Sequence, residues 1–459
     1  MPSTALALAL ALTAAAVGRA APGSDPAAAP DARTASRRYV VERIRFDGLT
    51  RTRPSEIRRH LSIAEGELLD DQAVLLSRLR LLQLGWFSRV ETHVERGSAR
   101  GLVTLVFEFT ERNTLIVTDL VIGSTGPQPA YGGLGLSQGN FLGLGLALGG
   151  AFVYGAPHRF AVRGSFFDPD LALGGLPLVF GVSGIALRGE EFACGEPECN
   201  AYRGNYGGAP RLRYDRLGGE VTFGIRPGPF ERLLAGYRLE RVGAELLAGS
   251  AGQPASLTPY TAPALVRTGR SWVSALTGTY DRDTRNDLFF PTQGTRLALN
   301  IVFGSEALGG DYEYSRYLLQ LESDHELPHG HGLRLFGAAG AAQGDAPFFD
   351  RFYAADFAYF SIGPALGRAL ELNFSTDSRY DAYLALLGAE YGVPLWARGS
   401  FFHRGYVAIG GRWLYTAAQP RAGRTPASRS PFSGELALRL DTPVGSFNLS
   451  LGYTLDIFL

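Results

Sequence analysis

The sequence of 459 residues contains no lysine; all 44 of its basic residues are arginine. That gap reads as biased genomic composition and not as mechanism. Asp and Glu also number 44, so the net charge is zero, which speaks against nucleic acid as a partner. Past the first residues there is no run of about eighteen apolar side chains, which excludes a membrane-spanning helix. No nucleophile–base pair or metal cluster converges anywhere, so neither an enzyme nor a cofactor is expected. Cysteine is confined to Cys194 and Cys199, in the turn-rich stretch 192–200. In an exported chain this pair reads as a disulfide closing a small ring, worth about 2 kcal/mol at most. Two thiolates alone do not make a closed zinc site. His325, His329 and His331 also invite a metal reading, but Pro328, Gly330 and Gly332 around them point to a tight turn.

What is abundant is alternation. In residues 447–457, Phe447, Leu449, Leu451, Tyr453, Leu455 and Ile457 are apolar, and the residues between them are small or polar. Leu297, Leu299, Ile301 and Phe303 oppose Arg296, Ala298 and Asn300, and Leu436, Leu438 and Leu440 oppose Glu435, Arg439 and Asp441. Successive strand side chains point to opposite faces, so these are strands with one greasy and one wet side. Strands near ten residues long with charges on the wet side suit a membrane barrel enclosing a polar lumen. A closed barrel is also the remaining way to cross lipid when no helix can.

Residues 5–17 are almost entirely Ala and Leu, and Gly18-Arg19-Ala20 offers a small-x-small cleavage site. Residues 1–20 therefore read as a signal peptide, although no basic residue precedes Arg19. Residues 21–37, rich in Ala, Pro, Asp, Ser and Arg, read as a disordered lead-in. From 38 to 112 the pattern is compact α+β. A strand over 39–49 is followed by a short helix over 54–61 with Pro near its first turn. A second helix over 71–84, with Leu75, Leu79 and Leu82 on one face, stops at Gly85. Two strands over 90–95 and 102–110 complete the module. Residues 113–459 are expected to form the barrel. The 346 residues from Thr114 onward give about 22 per strand and connector if sixteen strands close it. Fifteen can be counted directly. A chain entering and leaving on one side needs an even number, so sixteen are expected, with fourteen as the alternative. A hidden strand is sought in 246–268 or 345–379.

The N-terminal module resembles a polypeptide-transport-associated (POTRA) domain through Ile44-Arg-Phe-Asp-Gly48, Gly66, and Leu84-Gly-Trp-Phe-Ser-Arg-Val90. Further stretches resemble, in order, the outer-membrane assembly-factor family, the BamA/TamA and two-partner-secretion translocase group. They are Tyr131-Gly-Gly-Leu-Gly-Leu-Ser-Gln-Gly-Asn-Phe-Leu-Gly143, Phe166-Phe-Asp-Pro-Asp-Leu171, Ala389-Glu-Tyr-Gly-Val-Pro-Leu395 and Asp441-Thr-Pro-Val-Gly445. The most specific is Tyr280-Asp-Arg-Asp-Thr-Arg-Asn-Asp-Leu-Phe-Phe-Pro-Thr-Gln-Gly294. There Asp281, Asp283 and Asn286 are read as caps on rim backbone, and Pro291 and Gly294 as the fixing points of a periplasmic turn.

The resemblance implies a transmembrane antiparallel β-barrel in the outer membrane, with the small domain in the periplasm. It also implies a long inward loop whose Arg-Gly-aromatic tip meets an acid on a neighbouring strand. Here Arg351-Phe-Tyr353 opens that loop and Ile362-Gly-Pro364 resembles its later part, but residues 354–361 hold neither Arg nor Gly. Ala408 stands about where the acid is expected. Losing one partner alone would strand a charge; losing both removes the conflict. Phe352, Phe357, Tyr359 and Phe360 are then expected to hold the loop by aromatic packing. Arg351 or Arg368 could replace the missing arginine with Glu390 as partner, against the plainer reading of solvated lumen charges.

The function the resemblance implies is assembly, insertion or translocation of proteins. The periplasmic module would receive unfolded or extended clients by strand addition, with periplasmic or lipoprotein subunits as further partners. The alternatives are a scaffold barrel, or a passive pore, that has lost the inward-loop motif.

Overall fold

The computed structural model describes residues 39–455 apart from 124–129, 156–158, 174–175, 193–210, 248–265, 288–289, 355–378, 397–400 and 420–427. The chain divides between Arg112 and Asn113 into two compact units.

The first unit is built from β1 (Val40–Asp47), α1 (Pro54–Arg59), α2 (Asp71–Gln83), β2 (Phe87–Arg96) and β3 (Leu102–Glu111), with sheet order β1-β3-β2. β1 and β3 are parallel, and β2 and β3 antiparallel. The register of β1 slips between Val41 and Arg43, so Glu42 is a bulge. This is why Val41 and Ile44, three apart, are both buried against the helices, where strict alternation puts them on opposite faces. α1 carries Pro54 in its first turn, and Asp70 caps α2 by accepting from the Gln72 amide. The buried face of α2 runs through Ser77 and Leu81, with Ala73, Val74 and Leu82 packed beside it. Leu75 is half exposed, so the stripe expected through Leu75 and Leu79 is rotated toward Leu81. Gly48 has φ +84°, and a Cβ there would lie 2.2 Å from the Phe109 carbonyl oxygen. Only glycine fits that turn.

The second unit is an antiparallel meander. Its strands are β4 (Leu115–Gly123), β5 (Tyr131–Phe141), β6 (Leu146–Gly155), β7 (Arg159–Leu173), β8 (Leu176–Phe192), β9 (Arg211–Ile225), β10 (Glu231–Leu247) and β11 (Gly269–Asp283). Next come β12 (Gly294–Gly304), β13 (Tyr314–Glu326) and β14 (Gly332–Gly344). β15 (Phe352–Ala354) and β16 (Arg379–Asp381) pair with each other as a separate two-stranded ribbon. The wall resumes with β17 (Tyr383–Trp396), β18 (Arg404–Ala417), the two-residue β19 (Ser428–Arg429), β20 (Phe432–Thr442) and β21 (Gly445–Leu455).

Among the described residues the sheet has sixteen strands. Fifteen lie on one path from β4 to β21, and β19 hangs from β18. Of the stretch 345–379 the described residues form a ribbon, β15 with β16, and the remainder, like most of 246–268, lies outside the described residues. Alternation places β4 and β21 in the same direction. The Val117 amide donates to the Val444 carbonyl at 2.8 Å between them. The greasy phase read from the sequence faces outward: Phe303, Leu436, Leu449 and Leu451 are exposed, and Glu435 and Asp441 are buried inside.

Candidate functional site

Two charged regions occupy the lumen, one at each end. The first lies where β9, β10 and β13 meet the root of the loop that follows β14. After β14 the chain passes through Pro347 into one turn of 3₁₀-helix, Phe348–Asp350, before β15. Phe348 is fully buried and meets Tyr214 and Tyr380 edge-on at 4.9 Å, and Phe349 at 5.2 Å. Around it Leu212, Val242, Ala244, Val273, Val302 and Tyr314 form a continuous core inside the barrel. Alternation would make these positions wet. They are apolar because the loop root fills this end of the lumen.

A charged node sits within that core. Asp350 accepts from Arg238 Nη1 at 3.0 Å, lies against Arg238 Nη2, and accepts from the Tyr314 hydroxyl at 2.5 Å. Arg216 donates to Glu240 through Nε at 2.9 Å and Nη2 at 2.6 Å, and its guanidinium lies 3.7 Å over the Phe349 ring. At the loop root the loop supplies the acid and the wall the arginine.

The expected loop residues are placed as follows. Arg351 Nε donates to the Ala346 carbonyl at 3.0 Å, tying the turn to itself. Phe352 is buried, with the Arg316 guanidinium 5.1 Å from its ring centre. Phe357, Tyr359, Phe360 and Arg368 lie outside the described residues, as do Cys194 and Cys199. Glu390 is buried on β17 against Arg439 of β20. Ala408 faces a cavity of about 70 Å³ lined by Phe290, Asp324, Arg334, Glu390, Tyr406 and Arg439. The space beside the missing acid is thus a hollow lined by two carboxylates and two guanidinium groups together with aromatic and aliphatic surface.

The second charged region is the turn joining β11 to β12 and its neighbours. Asp281 accepts from Arg296 Nε at 3.1 Å and lies against Arg232. Asp283 accepts from Arg285 Nε at 2.9 Å and Nη2 at 2.7 Å, and Arg285 also donates to Glu322 at 3.1 Å. Arg404 bridges Asp287 at 2.7 Å and Asp441 at 3.1 Å. The Asn286 side chain accepts from the amides of Thr292 and Gln293 at 3.0 and 3.2 Å, closing the turn around Pro291. Gly294 has φ +117°, and a Cβ there would sit 2.6 Å from the Thr284 oxygen. These carboxylates cap backbone and pair with arginine. At the turn between β13 and β14, His325 meets the Ser323 hydroxyl at 2.8 Å and His331 the Tyr391 hydroxyl at 2.5 Å.

Residues 140–456 match the Omp85 superfamily domain, and residues 39–112 match POTRA, described as a surface antigen variable number repeat. Outer membrane protein assembly factor BamA of Nitratidesulfovibrio vulgaris is 25% identical over 321 residues. That covers 69% of this chain and 36% of the relative, so the chain spans about a third of its length. Among solved structures, BamA from Haemophilus ducreyi lacking POTRA domains 1–3 aligns over 92% of this chain and 82% of its own, with TM-score 0.51 and 18% identity. CdiB from Escherichia coli aligns over 91% and 73%, with TM-score 0.59 and 10% identity. Those two likenesses are of fold. The match along 140–456 goes further, and the chain belongs to the Omp85 superfamily, an outer-membrane barrel with its POTRA domain on the periplasmic side.

Proposed function

We propose that the protein assembles or translocates other proteins at the outer membrane, its POTRA domain receiving extended clients and its barrel mediating their insertion or passage. The observation that carries this reading is the open edge of β2. The other edge strand, β1, is met along its free side: Val41 donates to Glu67 O at 2.9 Å, Gly66 to Val41 O at 2.7 Å and Leu69 to Tyr39 O at 2.8 Å. Among the described residues β2 pairs with no strand but β3, and its backbone is met from α2 at one point, where Arg78 Nε donates to the Val90 carbonyl at 2.7 Å. An unpaired strand edge is a template for a further strand, which a client segment or a periplasmic or lipoprotein subunit would supply. No nucleotide enters the scheme; the work comes from client folding and burial.

The loop root narrows the choice of route. A chain threading the lumen would have to displace Phe348 and the Asp350 node, whereas insertion beside β4 leaves them in place. One observation favours a scaffold that no longer transports: Ala408 and its hollow stand where the family carries an acid.

Depletion tests the proposal. A specific set of outer-membrane or secreted proteins should fall; unchanged levels of all of them would overturn it. Proline placed singly at Thr92 and at His93 then tests the edge. Neighbouring amides in a strand point to opposite sides, so one substitution removes an outward N–H and the other a ladder N–H. The outward one should cause client loss while the domain stays folded.

A further inference from the structure

The outer surface of the barrel carries a row of charge that the assembly function does not use. On β8 to β11 the lipid-facing phase is marked by exposed Val182, Leu217, Leu239 and Trp272. Arg188, Asp215, Gly243 and Arg270 share that phase and stand opposite one another on the four strands. Arg241 belongs to the next row inward, between Leu217 and Trp272. With the POTRA domain in the periplasm, β4 rises from that side. Alternation then places this row at the cell-surface end, just above the apolar band.

Arg188, Arg241 and Arg270 are exposed, and among the described residues none of them makes an ion pair. Their neighbours differ. Arg211 and Arg213 each reach Glu190 at 3.0 Å, so their charge is already engaged. Arg188 and Arg270 are three strands apart, about 14 Å, and Arg241 lies about 7 Å along the strand from their row. Gly243 leaves a gap between them, into which Asp215 leans: a Cβ at 243 would meet its Oδ1 at 2.6 Å. The row therefore reads cation, acceptor, cation, with a third cation and an indole at the edge of the apolar band.

We propose that this face binds a multiply phosphorylated glycolipid of the outer leaflet. A single phosphate is too small to span the row. Two phosphates joined by a sugar fit it: the phosphates meet Arg188 and the Arg241–Arg270 pair, and sugar hydroxyls donate to Asp215. The acyl chains continue down over Leu217, Leu239 and Trp272. Arginine suits this boundary because its stem packs on apolar surface while the guanidinium stays at headgroup level.

The test uses the full chain in phosphatidylcholine nanodiscs doped with a bis-phosphorylated glucosamine-disaccharide lipid, with retained lipid counted by native mass spectrometry. The triple variant R188Q/R241Q/R270Q should bind about a hundredfold more weakly, some fivefold per arginine. R241Q alone should show the fivefold step, and heat-modifiable migration on gels should confirm that both variants remain folded. D215L should weaken the glycolipid while leaving the weaker retention of phosphatidylglycerol unchanged. Undiminished glycolipid retention by the triple variant would overturn the proposal. So would equal retention of phosphatidylglycerol or of the monophosphorylated glycolipid by the unmodified protein.

Discussion

The two ends of the lumen solve the problem of buried charge differently. Near the cell surface, Asp350, Arg238, Arg216 and Glu240 sit inside an apolar core made by the loop root and the wall. Near the periplasm, Asp281, Arg296, Asp283, Arg285 and Glu322 form a chain in which most members have two partners, and Arg404 joins Asp287 to Asp441 beside it. Within an apolar core each member is expensive to lose, because whatever partner remains stays desolvated. A run of shared partners spreads its charge, so removing one link leaves the others paired. The apolar end is therefore suited to hold a loop in one place, and the end with shared charge to keep the mouth polar and shaped.

Phe348→Ala should have the largest effect. The ring is fully buried among three aromatic neighbours, and truncating such a residue costs about 3–5 kcal/mol. Single-channel conductance in planar bilayers should rise as the root loosens. An unchanged conductance would mean that the loop is held elsewhere. Asp350→Asn should come next, at about 2–3 kcal/mol, because Arg238 loses its carboxylate but keeps Glu240 at 3.7 Å. Replacing Arg238 and Asp350 together by Met and Leu should restore the closed state if the node acts through pairing; continued leakage of the double variant would show that Asp350 has another task.

A carboxylate in the POTRA domain gives a third case, held by hydrogen bonds. Burial pushes the Glu111 carboxyl upward, but the Thr50 hydroxyl and the Thr52 and Arg51 amides outweigh it and hold it at about 2. The folded value lies below the unfolded one, so the stabilisation is complete above about pH 4.5 and is lost as pH falls toward 2. Glu111→Gln should cost about 1–2 kcal/mol at neutral pH, and the gap should close across that acid window. Urea unfolding followed through Trp86, with the other three tryptophans changed to Phe, would measure it. A gap that persists at pH 2 would show that shape and not charge is responsible.

How much of this could be read in advance depends on the range of the interaction. The wall was legible because alternation is local: Leu297 to Phe303 and Leu436 to Leu440 report their face two residues at a time. The POTRA motifs were legible because they mark local turns, the glycine of Ile44-Arg-Phe-Asp-Gly48 taking a φ of +84°. The bulge at Glu42 was not, because it is set by the register against β3. Least legible was the node. Arg238 and Asp350 are 112 residues apart and meet only when the barrel closes. Two signals pointed toward it: Phe348 and Phe349 directly before an acid, and arginines at 216 and 238 on the lumen phase. The aromatic tip, with Phe357, Tyr359 and Phe360, and the cysteine pair lie in stretches the structure does not describe.

The smallest effect is expected where the family resemblance is most specific. Asp283 belongs to the Asp-rich strand end, so a purely pattern-based argument makes it indispensable. The geometry argues otherwise. When Asp283 is changed to Asn, the amide oxygen can still accept from the Arg285 main-chain amide, which Asp283 now caps at 3.1 Å. Arg285 retains Glu322 at 3.1 Å, so its charge is not stranded. A partly solvated link in such a chain is worth about 1 kcal/mol or less. Asp283→Asn should therefore leave the heat-modifiability midpoint and the closed conductance close to those of the unmodified protein. Asp283→Ala, which also removes the cap on the turn, should cost about 1 kcal/mol more. If Asp283→Asn instead matched Asp350→Asn, shared partners would give the periplasmic end no tolerance, and the contrast between the two ends would fail.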